Sequence, residues 1–127
     1  MKPYREILGH PEDFVVKYKL YSPAEGGRKV TFQHLRCDFL YEDDDPEHDS
    51  LFMIYPEFLD ENGHPLNDGS PVPLSGNATM WISVPEMRQA VHQSRIAEGV
   101  RGYFMEGARK IGEVEVVKVV GLHTNDN

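Results

Sequence analysis

The sequence has little cysteine and no long apolar run. Cys37 is the only cysteine, so the chain cannot form an internal disulfide, and a lone thiol fits a reducing compartment. No apolar stretch approaches the roughly 20 residues that a transmembrane helix needs. The N-terminal residues lack the apolar segment of a secretion signal. These absences exclude a disulfide scaffold and favour a cytoplasmic protein with no membrane partner.

The motifs of familiar enzymes are also missing. There is no Gly-x-x-x-x-Gly-Lys-[Ser/Thr] phosphate loop, no His-Glu-x-x-His zinc motif and no Gly-x-Ser-x-Gly nucleophile elbow. The 6 histidines are scattered, and no pair has the spacing of a metal site. Cys37 lies in a segment with strand character, where a buried and unreactive thiol is the usual state. We therefore expect no enzyme activity, no cofactor and no metal site.

Basic residues are fewer than acidic ones. The chain has 13 Lys and Arg against 21 Asp and Glu, a formal net charge of −8. This balance disfavours a general nucleic-acid surface but is compatible with a local basic patch. The acidic run Glu42–Asp49 predicts a solvated loop, because like charges this close repel one another. The alternative is a hard-cation site that uses Asp43, Asp45, His48 and Asp49.

Short strands dominate what is present. The length of 127 residues fits a single domain spanning the whole chain. In the first apolar segment, Phe14, Val16, Tyr18 and Leu20 alternate with polar residues, which is typical of a half-buried strand. Turn-forming Gly and Pro residues separate the segments. The predicted strands are Asp13–Tyr21, Thr31–Tyr41, Leu51–Phe58, Asn77–Val84, Gly99–Glu106 and Lys110–Leu122. The aromatic residues expected in the core are Phe14, Phe39, Trp81, Tyr103 and Phe104.

One short helix is predicted over Glu86–Gln93. Ser83 and Glu86 have the spacing of a capping box, with a proline in the first turn. Met87, Ala90 and Val91 share one face of this helix, which we expect to be its buried face. The rest of the chain is mostly β, and many short strands with Gly and Pro turns indicate a sandwich or a barrel.

Three segments carry a resemblance to a known family. These are Glu25-Gly26-Gly27-Arg28 with Leu35-Arg36-Cys37-Asp38-Phe39, the segment Asn77–Val84, and the long stretch Gly99–Val114. Their order and spacing resemble the third, C-terminal domain of elongation factor Tu. The resemblance implies an all-β fold, a small closed antiparallel barrel of six strands with one short helix in a loop. It also implies that Glu106-Gly107-Ala108-Arg109 is a tight hairpin turn.

The resemblance implies a set of binding residues as well. Family positions that touch the tRNA T-stem correspond to Arg28, Lys29, Asp38, Glu106 and Gly107. Basic residues that could join them in one patch are Arg28, Lys29, Arg36, Arg101, Arg109 and Lys110. The alternative, which we favour, is ordinary surface charge balanced by nearby carboxylates. Asp38 stands where the family has a neutral amide, so it opposes binding to a phosphate backbone. The acidic loop, longer than the family's, acts in the same direction.

The favoured function is a non-catalytic binding module that resembles this domain and has a protein partner. A link to translation is implied by the resemblance alone. A tRNA partner is disfavoured by the acidic charge. One alternative is a small enzyme or metal-binding protein that uses the acidic loop or the mouth of the barrel. Another is an interaction protein that mimics the factor's domain. The chain is expected to be a monomer, or a homodimer formed through exposed edge strands.

Overall fold

The structure, a computed structural model, describes all 127 residues. Six strands form one antiparallel sheet in the order β2-β5-β6-β1-β4-β3. The strands are β1 Phe14–Leu20, β2 Asp38–Tyr41, β3 Ile54–Phe58, β4 Ser75–Ile82, β5 Arg101–Glu106 and β6 Arg109–Val119. The helical segments are α1 Tyr4–Leu8, a 3₁₀ turn Pro23–Glu25, a π-helical turn Arg88–His92 and α2 Gln93–Arg95. The predicted all-β class and the six strands are therefore confirmed.

The prediction of a closed barrel is wrong, because the sheet is curled into a half-barrel. Its edge strands β2 and β3 are joined only through a single bridge between Phe39 and Phe52, just before β3. The outer edge of β3 is covered instead of paired. The Gln33 side chain donates to the Phe58 carbonyl oxygen at 2.9 Å and accepts from the Phe58 N–H at 2.8 Å. Pro56 removes one more N–H from this strand, as expected at a sheet edge.

Two bulges in β6 bend the sheet. The register shifts once where β6 pairs with β5, leaving Ile111 without a partner, and once where β6 pairs with β1, leaving Val117 without one. Bulges of this kind increase local twist and turn a strand. Gly112 follows the first bulge, and a Cβ there would lie 3.0 Å from the Lys19 carbonyl oxygen. Glycine at this position therefore permits the close packing of β6 against β1 at the bend.

The concave face of the sheet holds the core. The predicted alternation in β1 is confirmed, and the core cluster includes Phe14, Phe39 and Phe104, each fully buried. Trp81 and Tyr103 were also expected there, but both lie on the convex face. Trp81 is nevertheless buried, because α1 covers it. Tyr103 is half-buried beneath the Lys110 ammonium, which lies 4.0 Å from the ring centroid.

The helix following β4 differs from its prediction. It begins at Glu86, as predicted, but continues to Arg95: Glu86 and Met87 are α-helical, Arg88–His92 form the π turn, and Gln93–Arg95 form α2. No side-chain cap is formed. Its fully buried residues are Arg88 and His92. Of the predicted face, Val91 is half-buried and packs against the core, Met87 is half-buried, and Ala90 is exposed. None of the helical segments has the length and apolar character needed to cross a membrane.

Buried polar pairs explain why this helix presents a polar face to the core. Arg88 Nε donates to Asp13 Oδ1 at 2.7 Å, and both side chains are buried. His92 Nδ1 lies 2.7 Å from the Tyr41 hydroxyl oxygen. Burial lowers the pKa of His92 to about 4, so the ring is neutral near pH 7. Sequence patterns that count only apolar residues cannot find such a face.

The second and third strands are shorter than predicted. Thr31–Tyr41 contains strand only over Asp38–Tyr41, and Leu51–Phe58 only over Ile54–Phe58. The residues before β2 form a turn in which His34 has a positive φ of 70°. An L-residue in this region costs roughly 1 kcal/mol or more, so tertiary contacts must hold it.

Candidate binding site

The predicted hairpin turn is present between β5 and β6. Gly107 and Ala108 form a two-residue loop, and Gly107 has a φ of 57°. A short hairpin of this kind requires a positive φ, which glycine adopts without strain. The turn places Glu106 and Arg109 side by side at one end of the sheet. We name the group Arg28, Glu106, Gly107 and Arg109 the Glu106 corner.

Arg28 and Arg109 both bind the same carboxylate in this corner. Arg28 Nη1 pairs with Glu106 Oε2, and Arg109 Nη2 pairs with Glu106 Oε1. Partial burial opposes the ionised form of Glu106, but hydrogen bonds from Arg109 and Arg28 outweigh it and lower its pKa. The two arginines meet as the sequence predicts. Their charge is partly neutralised within the protein.

The other predicted site residues divide between two places. Asp38 begins β2 opposite Met105, next to the Glu106 corner, and is half-buried. Lys29 is exposed and follows Arg28 directly. Arg36 does not join the corner. Its guanidinium instead lies over the Tyr55 ring, 5.7 Å from the centroid, at the rim of a separate pocket.

Carboxylates of the acidic loop form hydrogen bonds within the loop itself. Asp45 accepts a hydrogen bond from the Glu47 N–H at 2.9 Å and lies 2.7 Å from His48 Nδ1. Asp49 accepts from the Asp45 N–H at 2.7 Å. No group of three or more His, Cys, Asp or Glu side chains is arranged to hold a metal ion. The alternative of a cation site in this loop therefore has no ligand set to support it.

A pocket of about 230 Å³ lies between α1 and the convex face of β3 and β4. We name it the Arg36 pocket. Seven of its ten lining residues are hydrophobic. Ile7 and Leu8 contribute from α1 and are 51% and 36% exposed. The lining residues are Met1, Tyr4, Ile7, Leu8, Arg36, Tyr55, Trp81, Ile82, Ser83 and Asn127.

Arg36 differs from every other arginine in the chain. The sequence has seven arginines, and six of them lie within ion-pair distance of a carboxylate. Arg36 is the one without such a partner, although the protein has a net charge of −8. The pocket therefore combines an apolar lining with an uncompensated positive charge at its rim.

Tyr4 adds a second polar group without a partner. Its hydroxyl is buried, lies near the Arg36 guanidinium, and has no acceptor for its proton. Burial is the main cause that raises the pKa of Tyr4 to about 12, and the charge of Arg36 acts in the opposite direction. The hydroxyl thus keeps its proton at neutral pH. A buried hydroxyl whose proton has no acceptor costs free energy, so an acceptor that reached it would stabilise the site.

A buried polar network holds α1 against the sheet. The Glu57 carboxylate accepts from the Tyr4 N–H at 3.1 Å and lies 2.6 Å from His34 Nε2. His34 Nδ1 faces Asp68 Oδ1 at 2.8 Å, so both ring nitrogens face carboxylates. The hydrogen bond from His34 is the main cause that lowers the pKa of Asp68. These contacts explain the strained His34 backbone, and they position Tyr4 beside Trp81.

Sequence reasoning missed both α1 and the pocket. A weak signal exists, because Tyr4, Ile7 and Leu8 have the i, i+3, i+4 spacing of one helical face and follow Pro3. Arg36 was recognised, but only as a member of the basic set. Its isolation from carboxylates depends on contacts between distant segments, which no spacing rule reveals.

Comparison of the chain with family models and with curated proteins found no match. The resemblance to the C-terminal domain of elongation factor Tu therefore stays a prediction.

Proposed function

We propose that this chain is a non-catalytic binding module with a protein partner, and that the partner docks on the Arg36 pocket. The observation that carries the proposal is the apolar lining of this pocket beside the one arginine without a carboxylate. Ile7 and Leu8 continue the apolar surface outward from the pocket, along α1. Protein interfaces combine apolar anchors with Arg and aromatic residues in this way.

The Glu106 corner supports a protein over tRNA as the partner. Glu106 neutralises part of the charge that Arg28 and Arg109 would offer to phosphates. Asp38 adds negative charge next to it. Because affinity for a nucleic-acid backbone depends mainly on phosphate neutralisation, this corner is a poor tRNA surface. A place in translation stays a proposal that rests on the resemblance alone.

Capture of the partner from lysate of the source cells, with exposed apolar residues changed one at a time, tests the proposal. Ile7→Asp places a charge beside the Arg36 pocket. Phe32→Asp is the matched control, because Phe32 is 46% exposed and Ile7 is 51% exposed. We expect the wild type and Phe32→Asp to capture the same protein in stoichiometric amount, and Ile7→Asp to lose it.

Two outcomes would count against this function. Equal capture by Ile7→Asp would place the partner elsewhere on the surface. Recovery of nuclease-sensitive RNA, with a tight tRNA gel shift at physiological salt, would make the partner a nucleic acid.

A further inference from the structure

We infer that the Arg36 pocket binds the carboxylate of an Asp or Glu side chain on a segment of the partner, together with a neighbouring apolar side chain. The inference rests on the proposed function, since it names the chemistry of the partner at the same site. Arg36 and the Tyr4 hydroxyl would donate to the carboxylate, and the apolar side chain would occupy the pocket.

The charge of Arg36 decides what can cover the pocket. A partner that docks here removes water from the guanidinium and from the Tyr55 ring beneath it. Burying an unpaired charge is costly, whereas an arginine–carboxylate pair restores the lost interactions with strong, charge-assisted hydrogen bonds. The chain supplies no carboxylate to Arg36, although it supplies one to each of its other arginines. The occupant must therefore bring the carboxylate.

Tyr4 points to the same ligand chemistry. Tyr4 is 6% exposed, lines the pocket, and has a hydroxyl with no acceptor. An ionised carboxylate has two oxygens and accepts several hydrogen bonds, so one group can serve both Arg36 and Tyr4. A neutral amide offers only one acceptor oxygen and would satisfy this pair less well.

The size of the pocket favours a side chain of a protein over a larger small molecule. Its volume is about 230 Å³. Sites for drug-sized ligands and cofactors usually measure roughly 300–1,000 Å³. A space of this size suits one or two side chains, with the rest of the partner resting on the exposed flank of α1.

Trp81 provides a direct probe, because it is the only tryptophan and it lines the pocket. The ligands are two blocked peptides, Ala-Leu-Glu-Leu-Ala and Ala-Leu-Gln-Leu-Ala, titrated while Trp81 fluorescence is recorded. We expect the Glu peptide to bind the wild type about tenfold more tightly than the Gln peptide, the effect of a charge-assisted pair.

Variants assign this preference to the two donors. Arg36→Gln should bind both peptides equally, and Tyr4→Phe should keep only part of the preference. Arg101→Gln is the matched control, because Arg101 is exposed and already paired with Glu42 and Glu115. Equal binding of both peptides by the wild type, or a Glu preference that survives in Arg36→Gln, would overturn the inference.

Hexanoate, a small carboxylate with an apolar tail, separates this inference from the proposed function. Binding of hexanoate as tight as that of the Glu peptide would identify a small-acid site and would overturn the assignment to a protein segment. Partner capture that depends on Ile7, with no Glu preference in the peptides, would overturn the carboxylate inference and leave the binding module standing. A Glu preference in the peptides, without any captured partner, would leave the carboxylate inference standing and overturn the proposed binding module.

Discussion

The Glu106 corner and the Arg36 pocket both present arginine, but they treat its charge in opposite ways. In the corner, two guanidinium groups share one carboxylate within the chain. At the pocket, one guanidinium lies over Tyr55 with no carboxylate at ion-pair distance. The corner fits the resemblance to the translation factor, whereas the pocket depends on a helix that the sequence analysis did not predict. Residue type alone therefore does not identify a binding surface. The two surfaces differ in whether the guanidinium charge already has a carboxylate partner.

Removal of Trp81 is the largest disturbance that this comparison suggests. Trp81 is 4% exposed and packs against Tyr4, with ring centroids 5.7 Å apart. We expect Trp81→Ala to lower the free energy of unfolding by about 3 kcal/mol, the usual cost of removing a buried large aromatic side chain. Urea unfolding followed by far-UV circular dichroism measures this.

The matched control is Tyr103→Ala, on the same convex face but near the Glu106 corner. Tyr103 is only half-buried, so its removal should cost clearly less than that of Trp81. Equal losses for the two variants would mean that α1 does not pack on Trp81 in solution. The pocket would then lack one of its walls.

Glu106→Gln should make the corner resemble the pocket. The change leaves Arg28 and Arg109 without their carboxylate. We expect a loss of about 1 kcal/mol in the free energy of unfolding, because partly exposed ion pairs contribute little. We also expect stronger, salt-sensitive binding of tRNA in a gel shift, as two guanidinium groups become available to phosphates.

Glu61→Gln controls for the change in net charge. Glu61 is exposed and makes no ion pair, so this variant has the same charge as Glu106→Gln without altering the corner. If both variants gained the same affinity for tRNA, overall charge and not the release of the two arginines would be the cause.

Local signals explain which parts of the fold the sequence could predict. The alternation of β1 and the Gly107 turn depend on neighbouring residues, and both were predicted correctly. The turn at His34 was not predictable, because it depends on Glu57 and Asp68, which are 23 and 34 residues away. The failure of the barrel to close was missed for the same reason. Gln33 covers the edge of β3 through contacts with Phe58, 25 residues away.

The candidate site was harder to predict than the fold. A helix of five residues such as α1 has almost no stability of its own and depends on tertiary contacts. The corner residues were predictable as a group, since the turn joins two of them and the resemblance names the third. The lone state of Arg36 was not predictable, because it requires knowing the partners of every other arginine.

Lowering the pH should weaken the ion pairs of the Glu106 corner, whereas the Arg36 pocket has no such pair to lose. This is the smallest of the expected effects. The folded state lowers the pKa of Glu106 below its ordinary 4.5. Its ion pairs therefore stabilise the fold fully above pH 4.5 and are lost as pH falls through the lower, folded value. The unfolding free energy of Glu106→Gln should thus approach that of the wild type as pH falls through this window, as measured by urea unfolding. The substitution changes only the corner, so the difference between the two proteins reports Glu106 and its immediate contacts. If the difference in unfolding free energy between the wild type and Glu106→Gln stayed constant down to acid pH, the Glu106 carboxylate would not be ion-paired. The corner would then not differ from Arg36 in having its charge paired.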